Sequence, residues 1–218
     1  MVALTGRFLS LLLFGLCFTL PLQAAEDVSA DHPAVVRLQQ FVDGIRTFEA
    51  DFEQQIIGNG RSEVEKSHGH FVALRPGRFR WDYKSPEVQN IVSDGRTIWI
   101  YEPELEQATR ISAARLDRAP AAFLVSKTRL DKIFTMQVGK HQVLGLEQVY
   151  LLPKEKEAHF KSLIITLNRT GDGIASFEVE DTLGNRSLFR FIAMKLNGSV
   201  DTEQFTFTPP EGIDIIDG

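Results

Sequence analysis

Residues 75–107 read RPGRFRWDYKSPEVQNIVSDGRTIWIYEPELEQ, and the alternation inside them decides the fold. Phe79, Trp81 and Tyr83 fall on one face of an extended chain while Arg78, Arg80 and Asp82 fall on the other. That period of two is the mark of a half-buried strand. Arg75-Pro76-Gly77 opens the stretch with a turn signal, since proline presets φ and glycine admits positive φ. Farther on, 88–93 and 97–101 form two arms around Asp94-Gly95, a strong short-range hairpin signal. In the second arm Ile98 and Ile100 oppose Thr97, Trp99 and Tyr101. An arm that is apolar on both faces predicts cover on both, with Trp99 and Tyr101 as core residues.

Upstream, Val35, Leu38, Phe41, Val42 and Ile45 recur at helical spacing behind Asp31-His32-Pro33, which predicts an amphipathic helix over 32–45 with Asp31 as its cap. From Phe48 the period changes to two: Phe48, Ala50, Phe52 and, past Gln54, Ile56 alternate with Glu49, Asp51, Glu53 and Gln55. A turn at Gly58-Asn59-Gly60 leads into a second strand over 63–74. Downstream, the dense apolar group 120–126 predicts a second, buried helical segment. Strands are expected at 132–138, 147–152, 160–168, 173–181 and 186–196, with turns at Gly171-Asp172-Gly173 and Gly184-Asn185. The charged stretches 127–133 and 154–159 read as solvated connections, and the tail 213–218 leaves room only for a brief terminal strand. Consecutive antiparallel strands with two or three short helices imply one curled sheet or incomplete barrel, its open side plugged by the helices.

The N-terminus predicts export. Arg7 precedes an almost wholly apolar run of 13 residues, 8–20, and Pro21-Leu22-Gln23-Ala24 supplies a small residue for cleavage after Ala24. A membrane-spanning helix needs roughly 20 apolar residues, so the run reads as a leader and not as an anchor. Cys17, the sole cysteine, lies inside that leader, so the remaining chain has no disulfide framework. Leu16 stands where a bacterial lipoprotein signal needs a small residue, which argues against a lipid on Cys17. Two segments follow: a signal peptide, 1–24, and one domain, 25–218. Without Arg7 the domain carries 23 basic residues (24 − 1) against 29 acidic ones, a formal charge of −6. With no basic excess it is a poor candidate for nucleic acid or anionic membranes.

Residues that could carry catalysis or hold a cofactor read more simply as structure. His68 and His70 share a strand face, yet no third metal ligand is in register, and a zinc site needs three or four. His141 and His159 have no partner that the sequence identifies. Ser93-Asp94-Gly95 lacks the Gly-x-Ser-x-Gly elbow and is ordinary hairpin chemistry. Glu102, Glu104 and Glu106 alternate with Pro103, Leu105 and Gln107 as a solvated acidic edge. With no Gly-rich phosphate loop, no cofactor, no metal and no catalytic residue are expected. The thirteen of sixteen phenylalanines that lie beyond the leader need an interior, and by composition alone that interior is a packed core.

A series of landmarks changes that reading. Arg75-Pro76 followed by Phe79 and Trp81, then Val92-Ser93-Asp94-Gly95-Arg96-Thr97-Ile98-Trp99-Ile100-Tyr101, Glu106-Gln107-Ala108 and Phe205-Thr206-Phe207-Thr208-Pro209-Pro210 together resemble the periplasmic outer-membrane lipoprotein carrier family, LolA. The resemblance implies an incomplete antiparallel β-barrel closed by a helical lid over a hydrophobic cavity. It implies a periplasmic chaperone, not an enzyme, and a monomer, which takes the acyl chains of lipoproteins from an inner-membrane ABC-type releasing complex to a lipid-anchored, LolB-like outer-membrane receptor. By the same resemblance Phe52, Phe79 and Trp81 line the ligand-binding face. Arg75 is the lid latch, and Phe79 also serves productive loading from the inner-membrane partner. Two other functions fit the same scaffold: carriage of another acylated cargo such as a glycolipid, and a lipid- or peptide-sensing module that regulates an envelope response.

Overall fold

A computed structural model describes residues 26–27, 31–59, 64–118, 120, 122–139, 146–155, 158, 160–170 and 173–218. The leader 1–24, His141, His159, and parts of the 58–60, 120–126, 154–159 and 171–173 segments lie outside them.

The strands come first as β1 (Glu26–Asp27), then, after helix α1 (Pro33–Gly44), as β2 (Thr47–Ile57), β3 (Val64–Leu74), β4 (Arg78–Ser85), β5 (Gln89–Asp94), β6 (Thr97–Glu102) and β7 (Gln107–Ser112). Two short helices follow, α2 (Ala122–Val125) and α3 (Leu130–Ile133). The second set is β8 (Phe134–Val138), β9 (Gln148–Pro153), β10 (Phe160–Leu167), β11 (Ile174–Asp181), β12 (Arg186–Leu196) and β13 (Asp214–Asp217). Among the described residues they form a single 13-stranded sheet in the order β1-β8-β9-β10-β11-β12-β2-β3-β4-β5-β6-β7-β13. Neighbours pair antiparallel throughout, except that β13 lies parallel to β7.

The sheet curls without closing. Trp81 of β4 and Phe177 of β11 are four strand steps apart, which on a flat sheet is about 19 Å at the usual strand spacing. Their ring centroids are 6.5 Å apart. Only a concave sheet brings both side chains to one point, and β1 and β13 remain free ends of the order. The incomplete barrel expected from the strand pattern is borne out.

The helices lie on the concave side. α1 buries Ala34, Val35, Leu38, Phe41 and Val42 and packs against β8 and β9. α2 is only 4 residues long, all buried, and sends Phe123 into the barrel, 5.3 Å from Phe177. Its packing, not its length, sustains it, because one turn of helix is unstable alone.

Three local expectations need correction. The cap of α1 is His32, whose Nδ1 accepts the Ala34 amide at 3.2 Å, and not Asp31; Pro33 holds the first helical position. Within 127–133, read as a solvated connection, α3 buries Leu130 and Ile133 and leaves only its charged residues outside. Trp99 and Tyr101 are half-buried on the convex side of β6, away from the core. Phe207 from the C-terminal segment packs on them at 5.6 and 5.3 Å. The predicted cover on both faces of that arm is therefore present, with the tail as the outer layer. Phe205 is buried, and the Gln204 carbonyl accepts from Arg80 at 3.4 Å.

Candidate functional site

The concave face is an aromatic cluster. Phe52 of β2, Phe79 and Trp81 of β4 are only 1%, 4% and 7% exposed. Trp81 lies edge-on to Phe52 at 5.3 Å and to Phe189 at 5.4 Å, and tilted on Phe71 at 4.7 Å. Phe177 and Phe189 stack at 4.5 Å, and Phe79 packs on Phe71 at 6.4 Å. Edge-to-face and offset arrangements of this kind are favourable beyond their area burial. The structure therefore brings Phe52 and Trp81 together and sets Phe79 one step along the same wall.

Sequence reasoning missed Phe71, Phe177 and Phe189, half of this wall. Each sits in a strand whose period of two places it on the apolar face, which is the signal that could have found them. Gly69 was missed as well. It pairs across from Phe52, whose ring lies over it: a Cβ there would come within 2.7 Å of Phe52 Cε1 and 1.9 Å of the Asp82 carbonyl oxygen.

Arg75 sits in the turn between β3 and β4, where its backbone amide donates to the Arg46 carbonyl at 2.9 Å. Its guanidinium reaches the helices. It donates to the carbonyl of Val42, in the last turn of α1, and to the carbonyl of Ser126, immediately after α2, with Nε at 3.1 Å from the latter. Helix-end carbonyls lack partners within their own helix, and a planar fork with five donors can serve two of them at once. The neighbouring Gly77 amide adds a backbone bond to Val125 at 2.8 Å. Burial pulls the guanidinium below its ordinary value and Asp43 opposes this, so it remains a cation.

The other candidates have structural partners. Ser93 is fully buried, and its hydroxyl donates to the Gly77 carbonyl at 2.7 Å and accepts the Gly95 amide at 3.2 Å. His70 Nδ1 lies 2.8 Å from Asp51 Oδ1 and His68 is exposed; Glu104 and Glu106 face solvent, and Gln89 donates to Glu102 at 3.2 Å. Among the described residues no three metal-capable side chains converge, and no helix is long and apolar enough to cross a membrane.

Three comparisons bear on this arrangement. The model of the outer membrane lipoprotein carrier protein LolA family matches residues 43–208, which run from the last turn of α1 to the FTFTPP segment. An outer-membrane lipoprotein carrier protein from Methylococcus capsulatus is 36% identical over 186 residues, covering 83% of this chain and 86% of its own. Another from Cupriavidus pinatubonensis is 35% identical over 209 residues, covering 94% and 97%. In structure, an uncharacterized conserved protein from Thermus thermophilus shares the fold at a TM-score of 0.51, with 10% identity over 85% of this chain and 97% of that one. The landmark at 75–107 and residues 205–208 of the C-terminal one therefore sit inside a match that spans most of the molecule, and the chain belongs to the LolA family of outer-membrane lipoprotein carriers, a family of chaperones and not of enzymes.

Proposed function

We propose that this chain is exported to the periplasm by cleavage of residues 1–24 and that the domain 25–218 carries lipoproteins by sheltering their acyl chains inside the curled sheet. Phe52, Phe79 and Trp81 form the surface that meets the acyl chains, and α1 and α2 are the lid. The protein accepts its cargo from an inner-membrane ABC-type complex, with Phe79 at that exchange, and yields it to a lipid-anchored, LolB-like receptor in the outer membrane. It acts as a monomer.

The physical need is plain. Each acyl methylene resists transfer to water by about 0.8 kcal/mol, so a chain of roughly 16 carbons released freely faces a barrier on the order of 10 kcal/mol. A soluble shell removes that barrier if its interior can be opened. Because the three aromatic side chains are buried, cargo enters only when this lid of α1 and α2 moves aside.

One observation carries this reading: a single guanidinium binds the ends of both covering helices. Those charge-assisted bonds, each worth roughly 1.5–3 kcal/mol, favour the closed state of the empty protein and are lost on loading. Re-forming them then helps to expel the cargo. Arg75→Leu should fold, accept lipoprotein from inner-membrane vesicles and release it poorly to receptor-bearing membranes. A two-step transfer assay separates the stages. Normal delivery by the variant removes the latch, and defective loading with normal delivery moves Arg75 to the donor interface.

A further inference from the structure

The indole Nε1–H of Trp81 is a buried donor that meets no acceptor among the described residues. Around it stand Phe71, Phe52, Phe189, Tyr83 and Phe177, at ring distances from 4.7 to 6.5 Å. None of the first three offers an oxygen. The ring itself is only 7% exposed, so water does not satisfy the donor either. Folded proteins seldom leave a buried N–H unpaired, because its lost hydration is not returned, and Trp is normally placed where its N–H finds a partner. Phenylalanine would fill an apolar wall at no such cost. A donor kept in that wall is useful only if an acceptor arrives with the ligand.

Resting on the reading that the concave face receives acyl chains, we infer that the Trp81 Nε1–H donates to the carbonyl oxygen of the acyl linkage, the ester or amide at the head of the chain. An alkyl chain has no other acceptor. The bond sets how deep the chain enters and distinguishes acyl anchors from plain hydrocarbon or alkyl ethers, whose oxygen is a weaker acceptor. It also gives the loaded state a hydrogen bond that the empty state lacks, opposite in sense to the Arg75 bonds that the empty state holds.

The test uses two synthetic lipopeptides that differ at one position: the lipidated cysteine carries two palmitoyl esters in one and two hexadecyl ethers in the other. The full domain should bind the ester form about tenfold more tightly, the fold-change of one hydrogen bond, and Trp81→Phe should bind both equally at the level of the ether. The wild-type protein supplies a second readout that does not depend on the variant folding. Of its two tryptophans, Trp81 should show a downfield shift of its indole proton with the ester and not with the ether. Trp99, packed on the convex side against Phe207, should stay in place. Equal affinity of the wild type for both lipopeptides, an ester preference that survives in Trp81→Phe, or an unmoved Trp81 resonance overturns the assignment while the acyl-holding reading stands. Failure of both lipopeptides to bind overturns both.

Discussion

Gly69 shows how much one hydrogen atom decides here. Its missing Cβ lets the β4 backbone approach, with the Asp82 carbonyl oxygen where a methyl would stand, and leaves room for the Phe52 ring. At the same place the β3–β4 register shifts between His68 and Gly69. A side chain at position 69 must displace backbone, which does not yield as a flexible side chain would. Gly69→Ala should therefore destabilise the protein by about 1–3 kcal/mol in urea unfolding, the range of overpacking against a rigid neighbour. A loss under about 1 kcal/mol would show that the two strands can slip apart cheaply at the bulge, since surface substitutions away from such constraints have effects of that size. Arg75 has the opposite character. It lies in a turn at the end of β3, half-buried, so its replacement should alter the balance of open and closed forms far more than the stability of the sheet.

The β11–β12 hairpin depends on a carboxylate. Asp181 Oδ1 accepts the Leu183 and Asn185 amides at 2.9 and 2.8 Å, and its Oδ2 accepts the Asn185 side-chain amide at 2.6 Å. These bonds, the Asn185 side chain foremost, hold the Asp181 carboxyl below its ordinary value. A carboxyl whose folded value is depressed contributes stability above the unfolded value and loses it as the pH falls through the folded one. The hairpin tip should accordingly loosen below pH ~4 and not between 5 and 8. Amide exchange at Leu183 and Asn185 measures this: their protection should fall with acid in the wild type and be low at every pH in Asp181→Ala. Acid-insensitive protection in the wild type would show that the glycine turn, with Gly184 at φ 86°, holds the tip unaided. At the far end of β12, Asn197 performs a similar service for α1. Its side chain donates to the Gly44 carbonyl at 2.9 Å and accepts the Arg46 amide at 2.7 Å, tying the end of β12 to the end of α1.

A curled sheet with an aromatic interior, under the lid proposed above, should behave as a receptor for greasy molecules as a whole. Acyl ligand that binds the folded state and not the unfolded chain raises stability by about 2.7 kcal/mol at a concentration 100 times its dissociation constant. The melting temperature should rise with acyl ligand, and the same ligand should displace an environment-sensitive apolar probe. If saturating ligand does neither, Phe52, Phe79 and Trp81 are ordinary core. Arg75→Leu should bind the probe at least as well as the wild type, since loosening the lid makes its interior easier to reach.

Local chemistry decided most of the architecture before any contact was known. The period of two in 48–56 and 78–83 placed Phe52, Phe79, Trp81 and Tyr83 on one face because successive side chains of a strand must point to opposite sides. Asp94-Gly95 marked its hairpin because glycine takes the positive φ that the turn needs, 91° at Gly95. The family was legible for the same reason, its landmarks being contiguous motifs. Long-range pairing settled the rest. Arg75 meets Val42 and Ser126, 33 residues before it and 51 after it, and no local pattern announces a bond between a turn and the ends of two separate helices. Phe177 and Phe189 join Trp81 only once the sheet has curled. Phe207 covers Trp99 only once the tail has crossed the convex face, which is why those rings read as core. The burial of Leu130 and Ile133 was hidden by their charged neighbours, because a helix of one turn has too few residues to display a period. Side-chain direction is a property of the local chain; partnership belongs to whichever distant segments the curled backbone brings within reach.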